Sequence, residues 1–167
     1  QPDRHIANVG FGGLGLPDRD YYLDTSEKGV AIQNKYKSYV SFLLGQAGYE
    51  DPEMQAAEVY AFEDKIARTV AWDRAVRRNR DLTYNLLTAD ELTAISGKVP
   101  VAAMLAKIGI ETSPGFVVSL MPPTPEEVAA LKLDEATLAK IGSGMPGMFA
   151  LLGETPVETL KAWMIKE

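Results

Sequence analysis

The residues best suited to chemistry cluster in Gly10–Asp24, which reads G-F-G-G-L-G-L-P-D-R-D-Y-Y-L-D. Gly10, Gly12 and Gly15 have the G-x-G-x-x-G spacing of a dinucleotide-binding turn. That turn works only between a strand and a helix whose N-terminus receives the pyrophosphate. Here Leu16-Pro17 follow at once and no βαβ unit is available, so the spacing predicts a tight irregular turn and no nucleotide cofactor. Asp18, Asp20 and Asp24 suggest a calcium loop. Such a loop needs oxygen ligands at its first, third and fifth positions and glycine at the sixth, but Tyr22 and Leu23 stand at the last two. Asp18 and Asp20 are expected to cap local turns, with Arg19 paired to a nearby acid.

Other chemistries are short of residues. A hydrolytic zinc site of the H-E-x-x-H type needs two histidines one helical turn apart and a third ligand. The chain has one histidine, His5, and no cysteine. No G-x-S-x-G occurs, and His5 alone could act as base for a serine nucleophile. Glu58 and Glu63 are the most interesting acids. Glu63 borders the apolar face of a predicted helix, where a carboxylate is costly unless paired. The arginines at 74, 77, 78 and 80 follow soon after and are the expected source of its partner. A structural ion pair is favoured over a catalytic acid. The arginine cluster lacks interleaved aromatics and sits in a chain of net charge −6, which argues against nucleic acid. Tyr36, Tyr39 and Phe62 fall at expected core positions. No catalytic, cofactor-binding or metal-ligating residue is assigned.

These residues need a scaffold, and the composition supplies one. With 167 residues, 46% hydrophobic and 24% charged, the chain can bury a core and is read as one domain, 1–167. No apolar run approaches the roughly 20 residues of a membrane span. The chain opens at Gln1 without a methionine or a signal-like segment, and its last helix stops at Glu167 without a closing signal. Both ends are expected to continue in a longer protein.

The pattern is mainly α, an antiparallel helical hairpin followed by shorter helices, with at most one or two short strands. Residues 1–9 read as irregular. Thr25 or Ser26 caps a helix that turns Ile32, Tyr36, Tyr39, Val40, Leu43, Leu44 and Ala47 inward and ends near Gly48. Asp51-Pro52-Glu53 opens the second helix, with Val59, Phe62, Ile66 and Val70 inward and its end near Trp72. Residues 74–87 read as a connection, partly helical. Thr88-Ala-Asp-Glu91 is a capping box closed by Gly97, and Pro100 starts a helix with Met104, Leu105 and Ile108 apolar. Phe116–Leu120 is the strand candidate. Thr124-Pro125 and Thr155-Pro156 each open a helix, separated by a short helix over 135–141, a Gly142-Ser143-Gly144 break and an apolar run over 145–152. The last helix is expected to place Leu160, Trp163 and Met164 on one side.

In order and spacing these landmarks resemble the N-terminal domain of the neprilysin-type zinc metallopeptidases. The resemblance is carried by Gly12–Asp24 and by Glu63-x-x-x-Ala67. It continues through Arg80-Asp81-x-x-Tyr84-Asn85-x-x-Thr88, Leu105–Ile110, Val117-Val118 and Thr155–Lys161. Val99-Pro100-Val101 departs from the usual acid-tryptophan pair, and the stretch 122–144 is longer than usual. The resemblance implies a helical lid segment of a bacterial endopeptidase that cleaves oligopeptides outside the cytoplasm. Zinc and the catalytic residues would lie in another domain of the same protein, the implied partner. No zinc-binding or catalytic residue carries over to any position here. The segment alone would bind no zinc, span no membrane and contact no nucleic acid, and its docking side would form an exposed apolar patch. The alternative is a stand-alone helical module that binds peptides or proteins without enzymatic activity.

Overall fold

The computed structural model describes residues 6–110 and 115–166, so His5 lies outside the described residues. The fold is mainly α. The chain divides into two compact units. A hairpin unit holds Gly13–Thr69 and Glu154–Glu167, and a sheet unit holds Gln1–Gly12 and Val70–Gly153.

The hairpin unit begins with a one-turn helix α1 (Asp20–Leu23) and the long α2 (Glu27–Gln46). Of the two expected caps, Ser26 is the one used: its hydroxyl accepts from the Gly29 amide at 3.0 Å. Helix α3 (Pro52–Lys65) opens as the sequence predicts, with the Asp51 carboxylate accepting from the Met54 amide at 3.1 Å and Pro52 in the first turn. The expected single helix to Trp72 instead changes hand-over pattern at Ile66, and Ile66–Val70 is a π-helical turn. The closing helix α11 (Val157–Lys166) packs on both α2 and α3. Val40, Leu44, Ala56, Val59 and Ala162 form the shared core.

Two expectations about faces change here. Tyr39 is 56% exposed and Ala47 is also on the outside, because α3 and α11 cover only the arc of α2 centred on Val40 and Leu44. On α11, Thr159 and Ala162 are buried while Met164 is 69% exposed. The helix is turned by about a third of a revolution from its apolar stripe, because the side it buries also carries Lys166.

The sheet unit centres on β3 (Phe116–Val118), buried along its whole length. It pairs in parallel with β1 (Ala7–Val9), Ala7 opposite Phe116, and antiparallel with β2 (Asn85–Leu87), Leu87 opposite Phe116. The described residues thus hold three strands in the order β1-β3-β2, one more than anticipated. Residues read as irregular or connecting became strands because a buried central strand must satisfy backbone groups on both edges. Between and after them run short helices: α4 (Arg74–Arg77), α5 (Arg80–Thr83), α6 (Ala89–Ser96), α7 (Val101–Lys107), α8 (Pro125–Ala130), α9 (Glu135–Leu138) and α10 (Gly144–Glu154). The expected capping box of Thr88 with Glu91 is formed, and Thr124 with Glu127 makes a second. Of the apolar residues at the end of α7, Met104 and its C-cap Ile108 are 54% and 67% exposed. Leu92, Phe116, Val118, Met145 and Phe149 make the main core.

A second cluster in this unit gathers Trp72, Val76, Leu82 and Leu120. The Trp72 indole donates to the Gly142 carbonyl at 3.0 Å, and the Asp73 amide donates to Lys140 at 2.9 Å. Leu120 has φ +52, and its carbonyl accepts from the Met145 amide at 3.0 Å. Gly144, at φ +58, brings its backbone so close to the Leu120 carbonyl that any Cβ would overlap it. The Gly142-Ser143-Gly144 break is therefore a packing seat.

Candidate functional site

Burial and charge coincide at Glu63. Its side chain has no exposure, although it lies on the inward face of α3 among apolar neighbours. One carboxylate oxygen, Oε2, accepts two short hydrogen bonds, from the Tyr22 and Tyr36 hydroxyls, each at 2.7 Å. The other, Oε1, lies 2.9 Å from the Lys166 ammonium, whose side chain is only 4% exposed. Charge rather than an aligned hydrogen bond serves Oε1. A carboxylate in such a place is tolerated because both oxygens are matched and the net charge of the pair is zero.

Each partner is delivered by a different element. Tyr22 is on α1, and its hydroxyl also accepts from the Leu16 amide at 3.0 Å, so the glycine-proline stretch is tied to α3 through one side chain. Tyr36 reaches in from α2 across Gly15, where any Cβ would collide with the tyrosine hydroxyl. Gly15 is required by this close approach and not by a phosphate. Lys166 comes from the last turn of α11, its ammonium also 5.7 Å from the centre of the Trp163 ring. Arg68 closes the outside, pairing with Asp64 at 2.7 Å and donating to the Tyr22 carbonyl at 3.1 Å.

Burial pushes the Tyr22 hydroxyl far above the ordinary tyrosine range, and the Glu63 charge adds to this. Tyr60, which packs against Tyr22 with ring centres 5.5 Å apart, is raised chiefly by burial and next by Asp64. Tyr22 is thus held protonated as a donor to Glu63. Glu63 has no solvent path, so the arrangement is an internal anchor and offers no surface for a substrate.

The sequence favoured a structural ion pair for Glu63, and the geometry is of that kind. The cation is Lys166, however, and not an arginine from 74 to 80. Lys166 was missed because it sits at the far end of the chain, yet its signal was present: Thr159, Ala162 and Lys166 recur at helical spacing. Glu58 accepts from the Thr159 hydroxyl at 3.1 Å. Asp18 accepts from the Arg19 amide at 2.7 Å, and Asp24 accepts from the Ser26 amide at 2.9 Å. The Asp18 contact is a local one, as expected, and that of Asp24 is a further turn cap; the Ser26 amide and hydroxyl hold the Asp24 carboxyl below its usual range. Phe62 is buried and meets Trp163 edge-on at 5.3 Å, and Tyr36 is half-buried.

A groove beside α2 and α3 is lined by Lys37, Ser38, Ser41 and Glu53 among others. The Ser38 hydroxyl donates to the Asn34 carbonyl at 3.1 Å. Among the described residues, no group of three or more His, Cys, Asp or Glu could hold a metal ion. No helix of the described residues is long and apolar enough to cross a membrane. On α11, Val157 is 64% exposed and shares a stripe with half-buried Leu160 and the outward Met164.

Comparison with known proteins adds a lineage. The N-terminal model of Peptidase family M13 matches residues 1–166. Endothelin-converting enzyme 1 of Cavia porcellus is 32% identical over 97 residues, covering 56% of this chain and 13% of that enzyme. Neprilysin-3 of Drosophila melanogaster is 31% identical over 96 residues, covering 56% of this chain and 12% of that protein. The chain therefore spans only about an eighth of the relatives it matches. The zinc metalloprotease of Mycobacterium tuberculosis, solved with an inhibitor, shares the fold. It has a TM-score of 0.71 and 22% identity over 97% of this chain and 22% of that one.

Proposed function

Because this chain belongs to Peptidase family M13, we propose that it is a non-catalytic helical lid segment of a zinc-dependent endopeptidase that cleaves oligopeptides. It would form chamber wall and interdomain surface, with both compact units as parts of one N-terminal domain. The observation that carries this reading is the family match along residues 1–166 in a sequence with one histidine and no cysteine. Zinc and the peptide-cleaving groups belong to a catalytic domain elsewhere in the same protein. The apolar stripe of Val157, Leu160 and Met164 supports a docking role for α11. The parent acts outside the cytoplasm and is of bacterial type, and the absence of cysteine suits such a member.

Two observations test this. Reading the gene beyond Glu167 should reveal H-E-x-x-H in a long extension, and its absence from a complete frame would favour the stand-alone binding module. The purified chain, supplied with zinc and a fluorogenic peptide, should show no hydrolysis, and co-expression with the downstream segment should restore it. Zinc-dependent cleavage by the chain alone would overturn the lid assignment.

A further inference from the structure

The arginine cluster is not absorbed by the Glu63 anchor. Four of the chain's 17 basic residues fall within seven positions, and no acid interrupts them. Arg74, Arg78 and Arg80 are exposed, and none has an acidic partner among the described residues. Arg74 and Arg78 lie one turn apart on α4 and its helical C-cap, so they share a face. Arg80 opens α5 and Tyr84 closes it, the Tyr84 amide donating to the Arg80 carbonyl at 3.2 Å. Tyr84 is 60% exposed, and Leu86, two residues along in β2, is 58% exposed. Guanidiniums without an acidic partner among the described residues, followed within a few positions by an outward tyrosine and leucine, have the composition of a protein-binding patch, where Arg and Tyr are enriched and a small apolar centre is ringed by charge.

We propose that Arg74, Arg78, Arg80, Tyr84 and Leu86 form a docking surface for a carboxylate-bearing peptide or protein segment with apolar residues between its acids. Guanidinium forks match carboxylates in bidentate geometry. The chain's net charge of −6 opposes the approach of a long polyanion such as nucleic acid. A short acidic segment instead feels the cluster within a screening length of about 10 Å.

The test is fluorescence anisotropy of the 167-residue chain with a fluorescein-labelled peptide of alternating Glu and Leu, in low salt. The Lys-Leu counterpart and a thymidine oligonucleotide serve as controls. The acidic peptide should bind, and R74Q/R78Q/R80Q should weaken it about tenfold, each exposed pair being individually small. R74K/R78K/R80K keeps charge and fold and should fall between the two. Y84A/L86S should weaken binding about threefold with all charges in place, as loss of a modest apolar contact. Circular dichroism should show the same melting for all variants. The proposal is overturned if the acidic peptide fails to bind or if the glutamine variant binds equally. Tighter binding of the oligonucleotide, or self-association that the glutamine variant abolishes, would also overturn it, assigning the patch to a polyanion or a second copy.

Discussion

The two units solve the problem of a unique fold by opposite means. The hairpin unit is organised around a buried charge, the Glu63 carboxylate with two tyrosine hydroxyls and Lys166. The sheet unit is organised around clearance, with backbones brought together at Leu120 and Gly144 and Trp72 held by a carbonyl. A buried ion pair adds little net stability over apolar packing, but it penalises every arrangement that separates its members. Close backbone approach has no such long reach; it fails when one methyl group is added. The units should therefore respond to different classes of substitution. The chain has two tryptophans, Trp72 in the sheet unit and Trp163 in the hairpin unit, so single-tryptophan variants can report each unit during urea unfolding.

The largest effect is expected at Lys166. K166M leaves Glu63 buried without its cation and should cost about 3–5 kcal/mol in the Trp163 transition. Adding E63Q should recover part of this, since the double variant has no unpaired charge. Equal costs for the single and double variants would break the charge account. G144A is the corresponding change in the sheet unit. It combines overlap with the Leu120 carbonyl and a positive φ, and should cost about 3 kcal/mol in the Trp72 transition. If both tryptophans report the same shift for both variants, the units unfold as one cooperative body and the contrast fails.

Y22F sharpens the contrast further. Losing a buried hydrogen bond to a charged acceptor should cost about 2 kcal/mol. The raised folded pKa of Tyr22 gives the sign of its pH effect. Its contribution is fully present below the ordinary tyrosine value of 10.0 and is lost as pH rises above it. Wild type should lose stability on the alkaline side more steeply than Y22F, measured by urea midpoints at stepped pH. Parallel curves would show that Tyr22 titrates as it does when unfolded.

The sequence was most legible where structure is local. Ser26, Asp51-Pro52, Thr88 with Glu91 and Thr124 with Glu127 announced four helix starts, because a cap is a contact across three residues. The isolated burial of Glu63 was legible as a demand for a partner, but the partner was sought among the nearest arginines. The actual cation is at Lys166, beyond the reach of spacing arguments. The edge strands were hidden for the same reason: Ala7 finds Phe116 more than a hundred residues away. Nor could apolar periodicity orient α11, since a polar demand from α3 outweighed the exposure of Met164.

The helix caps give the smallest test, one that places a similar contact in each unit. S26A removes the acceptor for the Gly29 amide in the hairpin unit, and T88A removes the acceptor for the Glu91 amide in the sheet unit. Each should cost about 1 kcal/mol, S26A in the Trp163 transition and T88A in the Trp72 transition. Thr88 has a further signature. Its amide and hydroxyl hold the Glu91 carboxyl below its ordinary value, as the Ser26 amide and hydroxyl do for Asp24. A lowered folded pKa means that the carboxylate's contribution is present above the unfolded value, 4.5 for Glu91, and fades as pH falls through the folded one. T88A should therefore come closer to wild type as the buffer is taken from neutral to strongly acidic, because the hydroxyl's bond to the Glu91 carboxylate, already absent from T88A, weakens in wild type once Glu91 is protonated. A gap that stays constant with pH would assign the hydroxyl's worth to its acceptance from the Glu91 amide alone and leave its bond to the carboxylate without weight.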